Sequence, residues 1–268
     1  MIELAPYHKV GLSLSGPLMP ASGCFGYGTE YGGLVDVACL GAVVTNPVSL
    51  RPRRGTSQPR LVETSGGFVL NTGDQNPGVR RVIQRYAAAW KRIGVPVIVH
   101  LAPDAPADIA RTVGALEGTG AVAGLELDLP DGASPAEAAR LVAAARQSEL
   151  PLLVRVPLAE AVDTSPACVE MGADALVVAA PPVAAARHSS GQVVTGYLYG
   201  PAVHALVLPV LLDVRCQVDV PLIGCGGIHN IADARTFLDA GAVAVQVDSA
   251  IFSDPSVLGE LADSLRCN

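Results

Sequence analysis

The sequence predicts a (β/α)8 TIM barrel of the α/β class, and three observations lead to this fold. Short apolar runs alternate with amphipathic stretches along the whole chain, which is typical of parallel strands covered on the outside by helices. Glycine-alanine pairs recur where a helix leads into the next strand, at Gly41, Gly172 and Gly241. The length of 268 residues is close to the usual barrel length of about 250. We therefore expect one barrel domain over residues 1–268.

Eight strands are predicted from short, mostly apolar runs, each of which ends in small or polar residues. In chain order they lie near Leu18–Ser22, Ala42–Asn46, Val95–Leu101, Val122–Leu129, Leu150–Pro157, Asp174–Ala180, Pro221–Gly226 and Ala242–Asp248. Continuous apolar character on both faces is the pattern of strands in a parallel sheet.

Eight helices are predicted from the amphipathic stretches between these strands. In chain order they are Glu30–Ala38, Pro77–Arg92, Pro106–Leu116, Pro135–Gln147, Thr164–Met171, Pro201–Cys216, Ile231–Ala240 and Pro255–Leu265. Several begin at or near a proline that follows a capping residue, as at Pro77, Pro135, Pro166 and Pro255.

One insertion departs from the repeating unit. The polar stretch from Ser49 to Asn76 is rich in arginine, glycine and proline and is too long for an ordinary loop between a strand and a helix. We expect it to form a hairpin after the second strand that serves as a lid over the C-terminal face of the barrel.

Composition excludes several classes of function. With 18 basic and 25 acidic residues, the net charge of −7 argues against a nucleic-acid or anionic-membrane surface. The N-terminus has no signal pattern and no apolar run reaches the length of a membrane span, so we expect a cytoplasmic location. The six cysteines form no Cys-x-x-Cys pair, so no metal site, cluster or disulfide framework is expected.

A phosphate site is predicted at the ends of the last two strands. The run from Val220 ends in three glycines among four residues, and the next apolar run ends at Ser249. Without a Cβ, Gly226 and Gly227 allow backbone N–H groups to approach an anion, and adjacent strand ends near the end of a barrel commonly hold phosphate. The alternative is that these glycines only form a tight turn between strand and helix.

Several motifs follow one another in order along nearly the whole chain. They are Pro17-Leu-Met-Pro-Ala-Ser-Gly-Cys-Phe-Gly-Tyr-Gly28, Leu40-Gly-Ala-Val-Val-Thr45, Pro59-Arg-Leu-Val-Glu-Thr64, Gln75-Asn-Pro-Gly78, Ile223-Gly-Cys-Gly-Gly-Ile228 and Ala244-Val-Gln-Val247. Together they resemble class 1 dihydroorotate dehydrogenases, in particular the type 1B catalytic subunit. The resemblance implies an FMN flavoprotein of pyrimidine biosynthesis that oxidises dihydroorotate or a related small substrate. It also implies a homodimer and an electron-transfer subunit as a possible partner.

The resemblance also assigns site residues. Flavin contacts are implied at the first and fifth strands and in the loop before Pro201, and phosphate contacts at the last two strands. These residues are Ala21, Ser22, Gly23, Arg155, Gly196 and Gly200 for the flavin, and Gly226, Gly227, Ser249 and Ala250 for its phosphate. Asn71 would face the pyrimidine substrate, although each position also has an ordinary role in turns or packing.

The chain departs from the family pattern where the chemistry is expected. Thr45-Asn46-Pro47 replaces a segment that carries a flavin-contacting lysine, and Arg155 stands at the position of a second lysine. Arginine keeps its positive charge, but its fork is not equivalent to an ammonium group. Asp248 replaces a glycine beside the phosphate, where a carboxylate would oppose a dianion unless it points away or pairs with a base.

Large rings and a missing cysteine are two further departures. Gly196-Tyr-Leu-Tyr-Gly200 places tyrosines where the family has small residues, and the loop after the fourth strand lacks the cysteine that supplies the catalytic base. Asp128, Asp131 and His100 are the nearest titratable candidates for that role. Their alternatives are a polar strand end, a turn and a hydrogen-bonded supporting group, respectively.

Three functions remain open from the sequence. The first is an FMN oxidoreductase of the dihydroorotate dehydrogenase type. The second is a flavin-free barrel enzyme that keeps only a phosphate site. The third is a catalytically silent homologue that acts as a partner subunit. Fold alone does not decide among them.

Overall fold

The computed structural model describes residues 1–266 and contains two kinds of strand, those of a barrel and those of smaller sheets. The strands are β1 (Ile2–Glu3), β2 (Ser13–Leu14), β3 (Leu18–Pro20), β4 (Val43–Val44), β5 (Leu61–Thr64), β6 (Gly67–Leu70), β7 (Val97–Leu101), β8 (Gly124–Asp128), β9 (Leu152–Pro157), β10 (Ala175–Ala180), β11 (Val183–Arg187), β12 (Val193–Tyr199), β13 (Leu222–Cys225) and β14 (Ala244–Val247). The α-helices are α1 (Val79–Trp90), α2 (Pro106–Glu117), α3 (Pro135–Ala145), α4 (Ala161–Glu170), α5 (Ala202–Arg215), α6 (Ile231–Asp239), α7 (Ala250–Ser253) and α8 (Val257–Arg266).

Eight parallel strands form the barrel in the order β3-β14-β13-β10-β9-β8-β7-β4. The two ends of this sheet meet, because the Gly41 N–H donates to the Leu18 carbonyl at 2.8 Å. The predicted TIM barrel is therefore confirmed. Its parallel register brings the carboxyl ends of all eight strands to one face.

Side chains of the barrel strands alternate between two apolar layers. Val43, Val99 and Val154 face the helices, whereas their neighbours Val44 and Ile98 pack inside the barrel. The amino end of the interior is closed by the short β1–β2 hairpin, which contributes three leucines that are at most 3% exposed: Leu4, Leu12 and Leu14.

A second, antiparallel sheet is formed over the C-terminal face in the order β11-β12-β6-β5. Its β5–β6 hairpin is the predicted insertion after the second barrel strand. The β11–β12 hairpin was not predicted from the sequence. Pairing of β12 with β6, at Tyr197 with Leu70 and Tyr199 with Phe68, joins the two hairpins into one cover.

The helix predicted over Glu30–Ala38 is wrong. Only a 3-10 turn at Val37–Cys39 forms there. The segment contains Gly32-Gly33, which disfavours a helix, and the Glu30 carboxylate turns back to accept the N–H groups of Tyr27 and Thr29.

Pro166 does not begin a helix as predicted, because α4 begins five residues earlier at Ala161 and includes it. The ends of the other helices differ from the predicted ends by a few residues, and α7 was not predicted. Within residues 1–266, no helix is long and apolar enough to cross a membrane.

Candidate active site

A cleft of about 910 Å³ lies between the carboxyl ends of the barrel strands and the second sheet. Its floor comes from the ends of six barrel strands, through Ser22, Gly23, Asn46, Pro103, Asp128, Arg155 and Ala180. Its roof comes from the two hairpins, through Leu70, Asn71, Thr195, Gly196, Tyr197 and Tyr199. The ends of β13 and β14 contribute no lining residue in the described part of the chain. The cleft is therefore open over six strands and closed over the last two.

Asp128 and Arg155 form a two-pronged ion pair on the floor of the cleft. Their strands are neighbours in parallel register, so the two residues lie side by side. Arg155 Nε donates to Asp128 Oδ1 at 2.7 Å and Nη2 donates to Oδ2 at 2.9 Å. Burial opposes ionisation of Asp128, but the Arg155 guanidinium holds the pKa of this carboxyl well below its ordinary value. Asp128 is therefore a weak base.

His100 and Glu126 lie beneath this pair, inside the barrel. His100 Nδ1 is 2.7 Å from Glu126 Oε1, and its Nε2 is 3.7 Å from Asp128 Oδ2. Gln246 Nε2 donates to the other Glu126 oxygen at 2.5 Å. Burial and Arg155 both oppose protonation of His100, yet hydrogen bonds to Asp128 and Glu126 leave its pKa raised. With His100 protonated, the buried group of two carboxylates, one guanidinium and one imidazolium has no net charge.

Asp131 differs from these two candidates because it is exposed in the cleft. The Tyr197 hydroxyl donates to its Oδ2 at 2.7 Å. Burial and this carboxylate raise the pKa of Tyr197, so the phenol stays a donor at neutral pH. His100, in contrast, is 0% exposed and does not line the cleft. Of the three predicted bases, Asp131 is the one with a carboxylate that faces the cleft and is not paired with an arginine in the described part of the chain.

Two buried polar atoms on the floor lack a hydrogen-bond partner among residues 1–266. They are Ser22 Oγ and Asn46 Oδ1, and both residues line the cleft. Unsatisfied buried polar groups are rare in proteins and commonly mark a site where a ligand or water binds. This part of the floor fits a polar ligand.

The ends of β13 and β14 are filled by the chain itself. Asp248 is only 3% exposed. Its carboxylate accepts hydrogen bonds from the N–H and hydroxyl of Ser249 and from the N–H of Gly227. His229 Nε2 lies 3.2 Å from the Ser249 hydroxyl. Burial raises the pKa of the Asp248 carboxyl, while these donors act in the opposite direction.

The geometry agrees with the comparison to known proteins. Residues 7–267 match the family model described as dihydroorotate dehydrogenase. The chain belongs to the dihydroorotate dehydrogenase family.

Relatives and a solved structure agree with this membership. The catalytic subunit of dihydroorotate dehydrogenase B (NAD(+)) from Pelobacter propionicus is 38% identical, with 96% of this chain and 90% of that protein covered. The subunit of the same name from Bacillus mycoides is 33% identical, with 95% and 88% covered. The crystal structure of DHODH from Eimeria tenella in complex with ferulenol superposes with a TM-score of 0.78 over 95% of this chain and 83% of that one. At 18% identity, that structure supports the fold.

The residues assigned by the family resemblance fall into two groups. Those that line the cleft are Ser22, Gly23, Asn71, Arg155 and Gly196, and Ala21 is buried directly beside them. Those that lie outside it are Gly200, Gly226, Gly227, Ser249 and Ala250. The dihydroorotate dehydrogenase family is generally FMN-dependent. In this chain, the residues that line the cleft fit the flavin ring of FMN. The residues at the ends of β13 and β14 do not fit its phosphate.

Two arginines lie on the wall of the cleft, and reasoning from the sequence missed Arg81. Arg54 and Arg81 both line the cleft, are exposed, and have no ion-pair or hydrogen-bond partner in the part of the chain that the structure describes. Arg81 lies in the first turn of α1, where the helix dipole disfavours positive charge. That unfavourable position was the available signal.

Proposed function

We propose that this chain is a dihydroorotate dehydrogenase-like oxidoreductase that binds a small anionic pyrimidine in the cleft. The observation that carries this proposal is the cleft itself, which lies over the strand ends of a barrel whose residues 7–267 match that family. Active sites of TIM barrels lie at this face. We further propose that residues 1–268 act as one domain.

Two unpaired arginines support an anionic substrate. Arg54 and Arg81 place two fixed positive charges on the wall of the cleft, and a guanidinium fork matches a carboxylate. Asn71 adds polar contacts: its Nδ2 donates to the Thr195 carbonyl at 2.7 Å and its Oδ1 accepts the Gly73 N–H at 3.1 Å. One amide hydrogen and one lone pair of Asn71 remain for a ligand.

Asp131 is our candidate for the base. The predicted oxidation removes a proton from carbon, and a base has to reach that proton from within the cleft. Tyr197 orients the Asp131 carboxylate and leaves it facing the cleft. Asp128 is less suited because Arg155 neutralises it, and His100 lies beneath the floor.

FMN is the cofactor that we propose, with its ring in the cleft. When bound, the flavin would supply the acceptor for the hydride. The unpartnered atoms of Ser22 and Asn46 support binding at the ring end. A flavin-free barrel that binds a small ligand is the second candidate, because Asp248 fills the end of the site at which FMN would place its phosphate.

A partner subunit is also part of the proposal. The relatives are named as catalytic subunits of an NAD(+) enzyme, which supports association with an electron-transfer subunit. We propose a homodimer as the unit that binds it. Light scattering after size-exclusion chromatography measures the oligomeric state directly.

The substrate half of the proposal is tested by titrating orotate into the native chain and two variants in a calorimeter. Arg81→Gln removes a cleft cation and should weaken orotate binding by about 10-fold, the value of one exposed charge-assisted contact. Arg80→Gln is the matched control, since Arg80 is exposed in the same helical turn but does not line the cleft. Absence of orotate binding to the native chain, or equal effects of both variants, would contradict the proposal.

The oxidoreductase half is tested with dihydroorotate, added FMN and a dye acceptor. Dye reduction that requires dihydroorotate and falls at least about 100-fold in Asp131→Asn supports the proposed base, in line with the usual contribution of a general base. Orotate binding without any turnover would favour the flavin-free candidate.

A further inference from the structure

The ends of β13 and β14 form an anion cradle that already holds an anion of the chain itself. Gly226 and Gly227 have φ angles of +125° and +69°, which glycine adopts readily, and the Gly227 N–H donates to the Asp248 carboxylate. Ser249 provides a further N–H and a hydroxyl from the end of the neighbouring strand. These donors could bind a phosphate, but here their hydrogen bonds are accepted by the Asp248 carboxylate.

The cradle is closed on its outer side by α5. A Cβ on Gly227 would lie 2.4 Å from the His204 backbone nitrogen and 3.0 Å from the Gly200 carbonyl oxygen. A Cβ on Gly226 would lie about 3 Å from the methyl groups of Val203 and Val207. The first turns of α5 therefore pack directly on the outer side of the glycine turn, so an anion reaches these donors only at the position that the Asp248 carboxylate occupies.

Tyr199 lies at the edge of the cleft, near the cradle. It stacks on Phe68 with ring centroids 5.5 Å apart, and it lines the cleft. Burial raises the pKa of Tyr199, and Cys24, Arg155, Asp248 and Cys225 all lie close enough to influence it.

We propose that the Asp248 carboxylate is a built-in substitute for the cofactor phosphate, so that the native chain holds flavin weakly, through the ring alone, and gains no affinity from a phosphate. The inference rests on the proposed function only for the identity of the phosphorylated group, FMN. A second anion at this position would meet Asp248 in a buried environment, where like charges repel strongly. The hydrogen bonds from the cradle donors to the Asp248 carboxylate would also have to break before these donors could bind the phosphate.

The test compares FMN with riboflavin, which differs from it by the phosphate. Kd values are measured by quenching of flavin fluorescence for the native chain, Asp248→Gly and Asp248→Asn. For the native chain we expect FMN and riboflavin to bind within about 3-fold of each other. Asp248→Gly should bind FMN at least about 100-fold more tightly than riboflavin, equivalent to about 2.8 kcal/mol.

Asp248→Asn is the variant that protects the test against misfolding, since it keeps the shape of the side chain and removes its charge. We expect it to prefer FMN over riboflavin by about 10-fold, because the repulsion is gone but the amide oxygen still occupies the donors. Asp254→Asn is the matched control, as Asp254 is an exposed acid six residues further on, and it should behave like the native chain.

Three results would overturn the inference. They are a native chain that prefers FMN over riboflavin by 100-fold, an unchanged ratio in both Asp248 variants, or an equal gain in Asp254→Asn. The ratio is independent of turnover. Loss of orotate binding or of dihydroorotate oxidation would therefore defeat the proposed function while leaving the ratio, and this inference, intact.

Discussion

The buried ion pair of Asp128 and Arg155 gives the sharpest prediction for stability. We expect Arg155→Met to lower the free energy of unfolding by about 4 kcal/mol, since removing one partner of a buried pair typically costs 3–5 kcal/mol. The side chains are 13% and 11% exposed, so solvent screens the remaining charge poorly. After this substitution Asp128 and Glu126 face a single imidazolium, and one buried negative charge has no partner.

Asp128→Asn should cost less, about 2 kcal/mol. In this variant His100 can release its proton, and the buried group of Arg155 and Glu126 returns to zero net charge. The double variant Asp128→Leu with Arg155→Met replaces the pair by apolar side chains and should be less destabilised than Arg155→Met alone. The coupling energy of the cycle formed by Asp128→Leu, Arg155→Met and this double variant should therefore exceed about 1.5 kcal/mol.

Urea unfolding followed by circular dichroism measures these free energies. With a slope near 3 kcal/mol/M, a loss of about 4 kcal/mol moves the midpoint by roughly 1.3 M. The reasoning would be refuted if Asp128→Asn cost as much as Arg155→Met. It would also be refuted if the effects of Asp128→Leu and Arg155→Met added to that of the double variant within about 0.5 kcal/mol.

Two further predictions concern pH and the roof of the cleft. The pKa of His100 in the folded chain lies above the ordinary histidine value, so its stabilising contribution is complete below the ordinary value and is lost as the pH rises through the folded pKa. Stability should therefore decline as the pH rises above the ordinary pKa of histidine, and Glu126→Gln should flatten this decline in urea titrations at several pH values. Gly67→Ala should lower stability by about 2–3 kcal/mol, because Gly67 has a φ of +147° and an added Cβ would lie next to the Tyr199 carbonyl oxygen. Gly66→Ala has open space and should stay within about 0.5 kcal/mol of the native chain in thermal unfolding, so equal effects of the two would contradict the β6–β12 contact.

Barrel strands were predictable because each is a short apolar run with both faces buried. The predicted strand Leu150–Pro157, for example, differs from the observed β9 only at its first two residues. The hairpin in the insertion was predictable from its length and composition. The β11–β12 hairpin was not, since β12 is held by pairing with β6, more than a hundred residues earlier in the chain. Local pattern carries little information about such a partner.

The candidate site also has features that were predictable from the sequence and features that were not. The sequence by itself determined the barrel, the family, and the face on which Ser22, Gly23, Asn71 and Arg155 meet, because strand periodicity and motif order are local properties of the chain. Only the tertiary structure decided how the charges are paired. Asp128 binds Arg155 because β8 and β9 are neighbours in register, and Asp248 turns into the glycine cradle because α5 closes it from outside. A buried charged side chain pairs with whichever opposite charge or donor lies within reach, and the packing of strands and helices decides which groups are within reach.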